Sequence, residues 1–178
     1  MHDNILIGPD AHGRFNLQML RAFQGKGAVQ RGKHKVSDGV YLSCDPDAAI
    51  GGRYESGAEN MLQLRMQASG NPRWQALHIE LGDLRLGQAA VFGIVARSMA
   101  PASITTRVCL RSGNGDHFVD SFFPKTMVSF AQPSTHLDVM DLSSNPDLPK
   151  QAEWRDLILF FRSGDVSLNL LDLRLFAV

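Results

Sequence analysis

Six side chains form a chemically coherent set: Trp74, His78, Glu80, Arg97, Arg107 and Arg111. An aromatic face packs on C–H surfaces, while imidazole, carboxylate and guanidinium groups exchange directed hydrogen bonds with hydroxyls. Held on a rigid platform, that combination suits a polyhydroxylated ligand such as a carbohydrate. The spacing supports the grouping. Leu77, Ile79 and Leu81 alternate with His78 and Glu80, and Ile104, Val108 and Leu110 alternate with Arg107 and Arg111. Arg97 occupies a similar place on an intervening apolar run. If the apolar members face a core and the strands share a sheet, all six polar or aromatic members share one surface. The same alternation also describes an ordinary solvated face with cross-strand ion pairs.

Other chemistries have less support. His78-x-Glu80, His136-x-Asp138 and the Asp116, His117, Asp120 cluster each bring a histidine near a carboxylate, but no H-E-x-x-H or His-x-His pattern is present. No metal set is therefore assigned. Calcium is the cation that best suits the available oxygens, from Asp45 and Asp47 or from Asp138 and Asp141, although no EF-hand pattern occurs. No G-x-S-x-G elbow marks a nucleophile, and no catalytic set is assigned. Glu80 and Asp120 are the pair to watch for glycoside hydrolysis, on the condition that they face each other across a cleft. Lys26, Arg31, Lys33 and Lys35 make a local basic run among Gly25, Gly27 and Gly32. It lacks a phosphate-loop pattern and interleaved aromatics, and reads as an exposed loop or hairpin tip.

The composition fits these readings. The 178 residues include 44% hydrophobic and 20% charged residues, and 18 Lys+Arg balance 18 Asp+Glu. A chain of this size buries most of its surface on folding without a covalent staple. A zero formal charge disfavours nucleic acid as partner. Cys44 and Cys109 show no metal-finger or redox spacing and read as buried free thiols. The N-terminus has no basic and apolar leader, and no apolar run approaches the length of a membrane span. The expectation is a cytoplasmic chain with no membrane partner, non-classical export being the other route open to it.

The elements that must position the six side chains are strands. Period-two runs or β-rich apolar runs predict strands at 4–7, 40–44, 62–66, 77–81, 91–97, 104–111, 117–123, 126–130, 136–142, 154–162 and 166–176. Ser112-Gly113-Asn114-Gly115-Asp116 is the best turn signal, Pro124 should stop the strand before it, and Ser163-Gly164-Asp165 should close a final hairpin of two long strands. Leu157, Leu159 and Phe161 against Ile158 and Phe160 predict a central strand buried on both faces. Phe15, Met19 and Phe23, four apart after Asp10, give the one plausible helix, with an edge strand as the alternative. Phe118, Phe122, Phe123, Phe160 and Phe161 read as core. Leu81-Gly82-Asp83-Leu84-Arg85-Leu86 echoes Leu170-Leu171-Asp172-Leu173-Arg174-Leu175, an echo too short to signal a repeat. Together these predict an all-β chain, a two-sheet antiparallel β-sandwich of jelly-roll type with at most one or two short helices. It spans residues 1–178 as a single domain.

The closing run from Glu153 to Phe161, the Gly164-Asp165 turn and the final Val166 to Leu175 strand ending in Asp-Leu-Arg-Leu resemble the end of galactose-binding-like and carbohydrate-binding-module jelly rolls. The Trp74 to Leu81 strand followed by Val91 to Ser98 is similar to their middle strands. The resemblance covers about the last hundred residues. It implies a sandwich that binds sugars or proteins and rarely performs chemistry. The function expected first is thus a non-catalytic module binding carbohydrate on a sheet face or at loop tips. The second is a structural sandwich that self-associates or docks through an edge strand or a Phe-bearing face, and the third a glycan-active or metal-dependent enzyme.

Overall fold

A computed structural model describes residues 10–87, 89–146 and 148–178, so the strand predicted at 4–7 lies outside the described residues. One helix, α1 (Ala11–Ala22), precedes twelve strands. In order these are β1 (Gly25–Gln30), β2 (Gly32–Ser37), β3 (Val40–Cys44), β4 (Ala49–Gly57), β5 (Asn60–Ser69) and β6 (Gln75–Gly82). There follow β7 (Val91–Met99), β8 (Ile104–Asn114), β9 (His117–Ser129), β10 (Ser134–Asp141), β11 (Trp154–Phe161) and β12 (Val166–Ala177). All ladders are antiparallel. The first sheet runs β1-β4-β5-β12-β7-β10 and the second β2-β3-β6-β11-β8-β9, so the chain is the predicted two-sheet sandwich.

The alternating apolar residues meet between the sheets. Leu62, Leu64, Met66, Ile94, Leu168 and Leu173 from the first sheet pack against Leu42, Leu77, Ile79, Val108, Leu110 and Leu159 from the second. Leu84, Leu86, Leu142 and Leu148 cap this core from the connecting loops.

Several expectations are corrected. The last two strands are not a hairpin: β11 joins the second sheet between β6 and β8, and β12 joins the first between β5 and β7. Ser163-Gly164-Asp165 therefore crosses from one sheet to the other, because two strands with strongly apolar faces are each buried best at the centre of a sheet. Pro124 does not stop its strand. β9 is an edge strand with a bulge around Pro124: Arg107 of β8 pairs with Thr126 and Cys109 with Phe122, the setting that tolerates a missing N–H. β8 reaches Asn114 and pairs it with His117, leaving Gly115 and Asp116 as the two turn residues. Gly115 has φ +55°, which supplies the positive φ that a type II′ turn needs at its first central position. The basic run is mostly strand: Lys26 lies on β1 in the first sheet, Lys33 and Lys35 on β2 in the second, and only Arg31 occupies the bend between them.

The helix is present but presents another face. Leu17, Leu20, Gly13 and Asn16 are buried, whereas Phe15 and Met19 are exposed. A Cβ on Gly13 would stand 2.5 Å from the end of the Leu81 side chain, so glycine lets the helix approach without displacing it. The Asn16 amide donates to the Glu80 carbonyl at 2.8 Å, and Arg21 pairs with Asp172, so α1 bridges the two sheets. Asp10 stands at the N-cap but its side chain pairs with Arg14 instead of capping.

Candidate functional site

The second sheet turns its inner face to the main core and its outer face away from it. The ladders fix which residues share it. One row runs Lys35, Tyr41, His78, Ile158, Cys109, Phe122 across all six strands. Beside it, Lys33, Ser43, Ala76, Phe160, Arg107 and Thr126 form a second row, and Glu80, Asp156, Arg111 and Asp120 a third. Trp154, Gly113 and Phe118 close the far end.

The centre of this face is dry. Ala76, Cys109 and Ile158 are wholly buried although they point away from the main core, and Phe122 and Phe160 pack on them. The two rings lie 5.9 Å apart, and the Arg107 guanidinium sits 3.8 Å over Phe122. Arg111 sits 3.9 Å over Phe118, which is 52% exposed. On the opposite flank Tyr41 stacks on His78 at 4.6 Å, with Lys33 over its outer side. Trp154 lies across Gly113, where a Cβ would stand 2.1 Å from the ring.

The polar groups are held in place. Asp156 accepts a hydrogen bond from the Tyr41 hydroxyl and contacts His78 Nδ1 at 3.1 Å. Burial, and then the hydrogen bond to Asp156, push the Tyr41 hydroxyl far above the ordinary phenol range, so it is a donor at any physiological pH. Arg111 makes a bidentate pair with Asp120 at 2.7 and 2.8 Å, which raises the guanidinium pKa further. Burial raises Cys109 to about 12 and Cys44 to about 11, so both thiols stay protonated; both are buried and unpaired.

Five of the six sequence candidates fall on or beside this face, and one does not. Arg107, Arg111 and Glu80 stand on it, the first and last exposed and Arg111 half-buried. His78 points outward as the alternation implied, but it is buried beneath Tyr41 and Asp156. Trp74 precedes β6 at the margin, where its indole N–H donates to Ser43 Oγ at 3.2 Å and Arg73 lies 5.0 Å from its ring. Arg97 is on β7, in the first sheet, exposed and opposite Asp172 and Thr135. The condition that all these strands share a sheet fails for β7, and Arg97 is on the far side of the molecule. Tyr41, Phe122, Phe160, Trp154 and Asp156 escaped the sequence reading. Of Phe118, Phe122, Phe123, Phe160 and Phe161, all read as core, only Phe123 and Phe161 belong to it.

The remaining candidates disperse. Glu80 and Asp120 are three strand spacings apart, about 14 Å, beyond the separation of a glycosidase pair. Asp45 and Asp47 are both bound by Arg73, which holds the Asp45 carboxyl well below its usual range. Asp138 is buried against the Lys125 and Val139 backbone N–H groups, and Asp141 accepts from Ser143 and Ser144. Among the described residues no three His, Cys, Asp or Glu side chains converge to hold a metal ion, and no helix is long and apolar enough to cross a membrane.

No protein-family model matches the chain, and no curated protein matches it in sequence. Solved structures do. The family 30 carbohydrate-binding module of a cellulosomal cellulase from Clostridium thermocellum is 10% identical, with a TM-score of 0.51 over 86% of this chain and 90% of that one. A family 4 carbohydrate-binding module is 14% identical, with a TM-score of 0.50 over 78% and 87%. The family 11 xylanase of Neocallimastix patriciarum is 9% identical, with a TM-score of 0.50 over 86% and 100%. At these identities the likeness concerns the fold, and in fold this chain is a jelly-roll β-sandwich of the kind that carbohydrate-binding modules share.

Proposed function

We propose that the outer face of the second sheet binds a carbohydrate chain without acting on it chemically. The observation that carries this reading is the pairing of aromatic stations with polar groups already locked by neighbours. Tyr41 on His78 marks one flank, Phe122 with Phe160 the other, and Asp156 and Arg111 are fixed between them. From β3 to β9 is four strand spacings, on the order of 19 Å, which suits several sugar rings in a row. Ligand groups would exchange hydrogen bonds with Arg107, Glu80 and Ser43 while ring faces rest on the aromatics. Trp74 at the margin supplies a stacking platform. Preorganised side chains lose little entropy on binding, so their hydrogen bonds are retained as affinity. The fold shared with carbohydrate-binding modules supports the reading at the level of architecture.

The test is calorimetric titration with β-1,4-linked gluco- and xylo-oligosaccharides, chosen because similar structures come from a cellulase and a xylanase. Trp74→Ala and Phe122→Ala should each weaken binding by about 2 kcal/mol, roughly 30-fold, if they are hot spots. Unaltered affinity in both, with the fold retained by circular dichroism, sinks the site. An absence of binding across a broad glycan panel sinks the function.

A further inference from the structure

A cavity of about 660 Å³ opens at one end of the sandwich, beside the outer face of the first sheet, walled by β4, β5, the starts of β8 and β12 and the links β7–β8 and β11–β12. Its size is that of a small-molecule site. Three arginines line it: Arg53, Arg65 and Arg162. Met66, Ile104 and Val166 give it an apolar floor.

The ladder makes this cluster unusual. Arg53 and Arg65 are direct cross-strand partners, and the row they share continues to Ala28 on one side and Ser167 on the other. Like charges directly opposite each other destabilise a sheet. Glu55, the nearest carboxylate along β4, stands opposite Lys26 and Gln63. Among the described residues none of the three arginines makes a salt bridge. The one carboxylate in the wall, Asp165, accepts the Ala68 backbone N–H at 3.1 Å. Elsewhere the chain pairs its arginines readily, as Arg21, Arg73, Arg111 and Arg174 show. Gly52, next to Arg53, sits at φ +145°, and a Cβ there would stand 2.0 Å from the Arg65 carbonyl oxygen. Glycine thus lets β4 approach β5 where the two arginines oppose.

We propose that this cavity binds the oxyanion of a small hydroxylated ligand, a carboxylate or phosphate carried on a sugar-sized body. The bound anion supplies the negative charge that the Arg53–Arg65 pair lacks, with Arg162 closing on it from the β11–β12 link. Guanidinium forks match carboxylate and phosphate oxygens in pairs, and the apolar floor accepts the carbon skeleton. The site shares no residue with the face proposed above.

The experiment titrates the full chain with inorganic phosphate, glucose 6-phosphate, glucuronate and neutral glucose, and repeats the series with R53Q, R65Q, R162Q and the triple variant. Saturable binding of at least one anion, absent for glucose and weakened at least tenfold by R65Q, is expected. The arm that binds more tightly names the anion. Affinity should fall as salt rises. The melting temperature of ligand-free R65Q should rise, because a like-charge pair has been removed. No binding by any anion, equal binding of neutral glucose, full affinity in the triple variant, or a lower melting temperature in ligand-free R65Q would each overturn the proposal. A neutral oligosaccharide titrated in parallel reads the second-sheet face separately, so failure of one site is distinguishable from failure of the other.

Discussion

The two outer faces of this sandwich obey the same pleat and end in opposite states. On the second sheet, charged groups are matched: Arg111 with Asp120, Asp156 with Tyr41 and His78, Arg107 on an aromatic ring. Its middle is as dry as the core. On the first sheet, arginines oppose each other at one end, and Leu137 and Val139 stand exposed on the edge strand at the other. The difference teaches that alternation decides only which residues point outward. Whether an outward residue is solvated, stacked or buried depends on what the neighbouring strands place beside it.

The comparison breaks most readily at its centre. Ile158→Ala on the second-sheet face should cost about 2–5 kcal/mol, as a core truncation does, although the residue points away from the main core. Leu137→Ala, pointing outward from the first sheet, should stay within about 0.5 kcal/mol. Urea unfolding of both variants checks the contrast, and equal effects would erase it.

Next in size is Asp156→Asn. It weakens the acceptor shared by Tyr41 and His78 and should cost about 1–3 kcal/mol. Asp156 also contributes to the raised Tyr41 pKa, so the variant should shift tyrosinate formation to lower pH in an ultraviolet titration. In the parent protein Tyr41 keeps its proton above the pH at which an unfolded tyrosine loses it. The folded state then binds more protons than the unfolded, and stability falls as pH rises past about 10.

Acid acts on the inner faces of both sheets. Burial lowers the pKa of His34 on β2 and of His136 on β10, and the ring nitrogens of His34 have no hydrogen-bond partner. With the folded pKa below the unfolded one, the unfolded chain binds more protons as pH drops below about 6.5. The contribution is intact above that pH and is lost below it, by at most about 1.4 kcal/mol per pH unit for each histidine. Denaturation midpoints at pH 7.5 and 5.5 should separate, and His34→Gln should narrow the gap.

The smallest effect sharpens the functional contrast. Arg97→Gln should leave saccharide affinity unchanged within error, whereas Arg107→Gln should weaken it several-fold in the same calorimetric assay. Equal losses would mean that the ligand does not lie on the second sheet alone.

What the sequence determined by itself was local. Period-two runs placed the ends of β3 at Val40 and Cys44, marked Leu62, Leu64 and Met66 as one buried row, and made β11 a central strand. Asn114-Gly115 within the Ser112 to Asp116 run marked the β8–β9 turn, because positive φ at Gly115 is a property of a single residue. Tertiary structure decided everything that depends on partners far along the chain. Alternation assigns a side chain to a face, but ladder hydrogen bonds assign a strand to a sheet, and backbone groups carry no sequence label. That is why Arg97 parted from Arg107, why the last two strands separated, and why Arg53 came to face Arg65. It is also why α1 buries Leu17 and Leu20 rather than Phe15 and Met19: Gly13 and Asn16 fit closely against two sheets, and only the assembled sheets select that side.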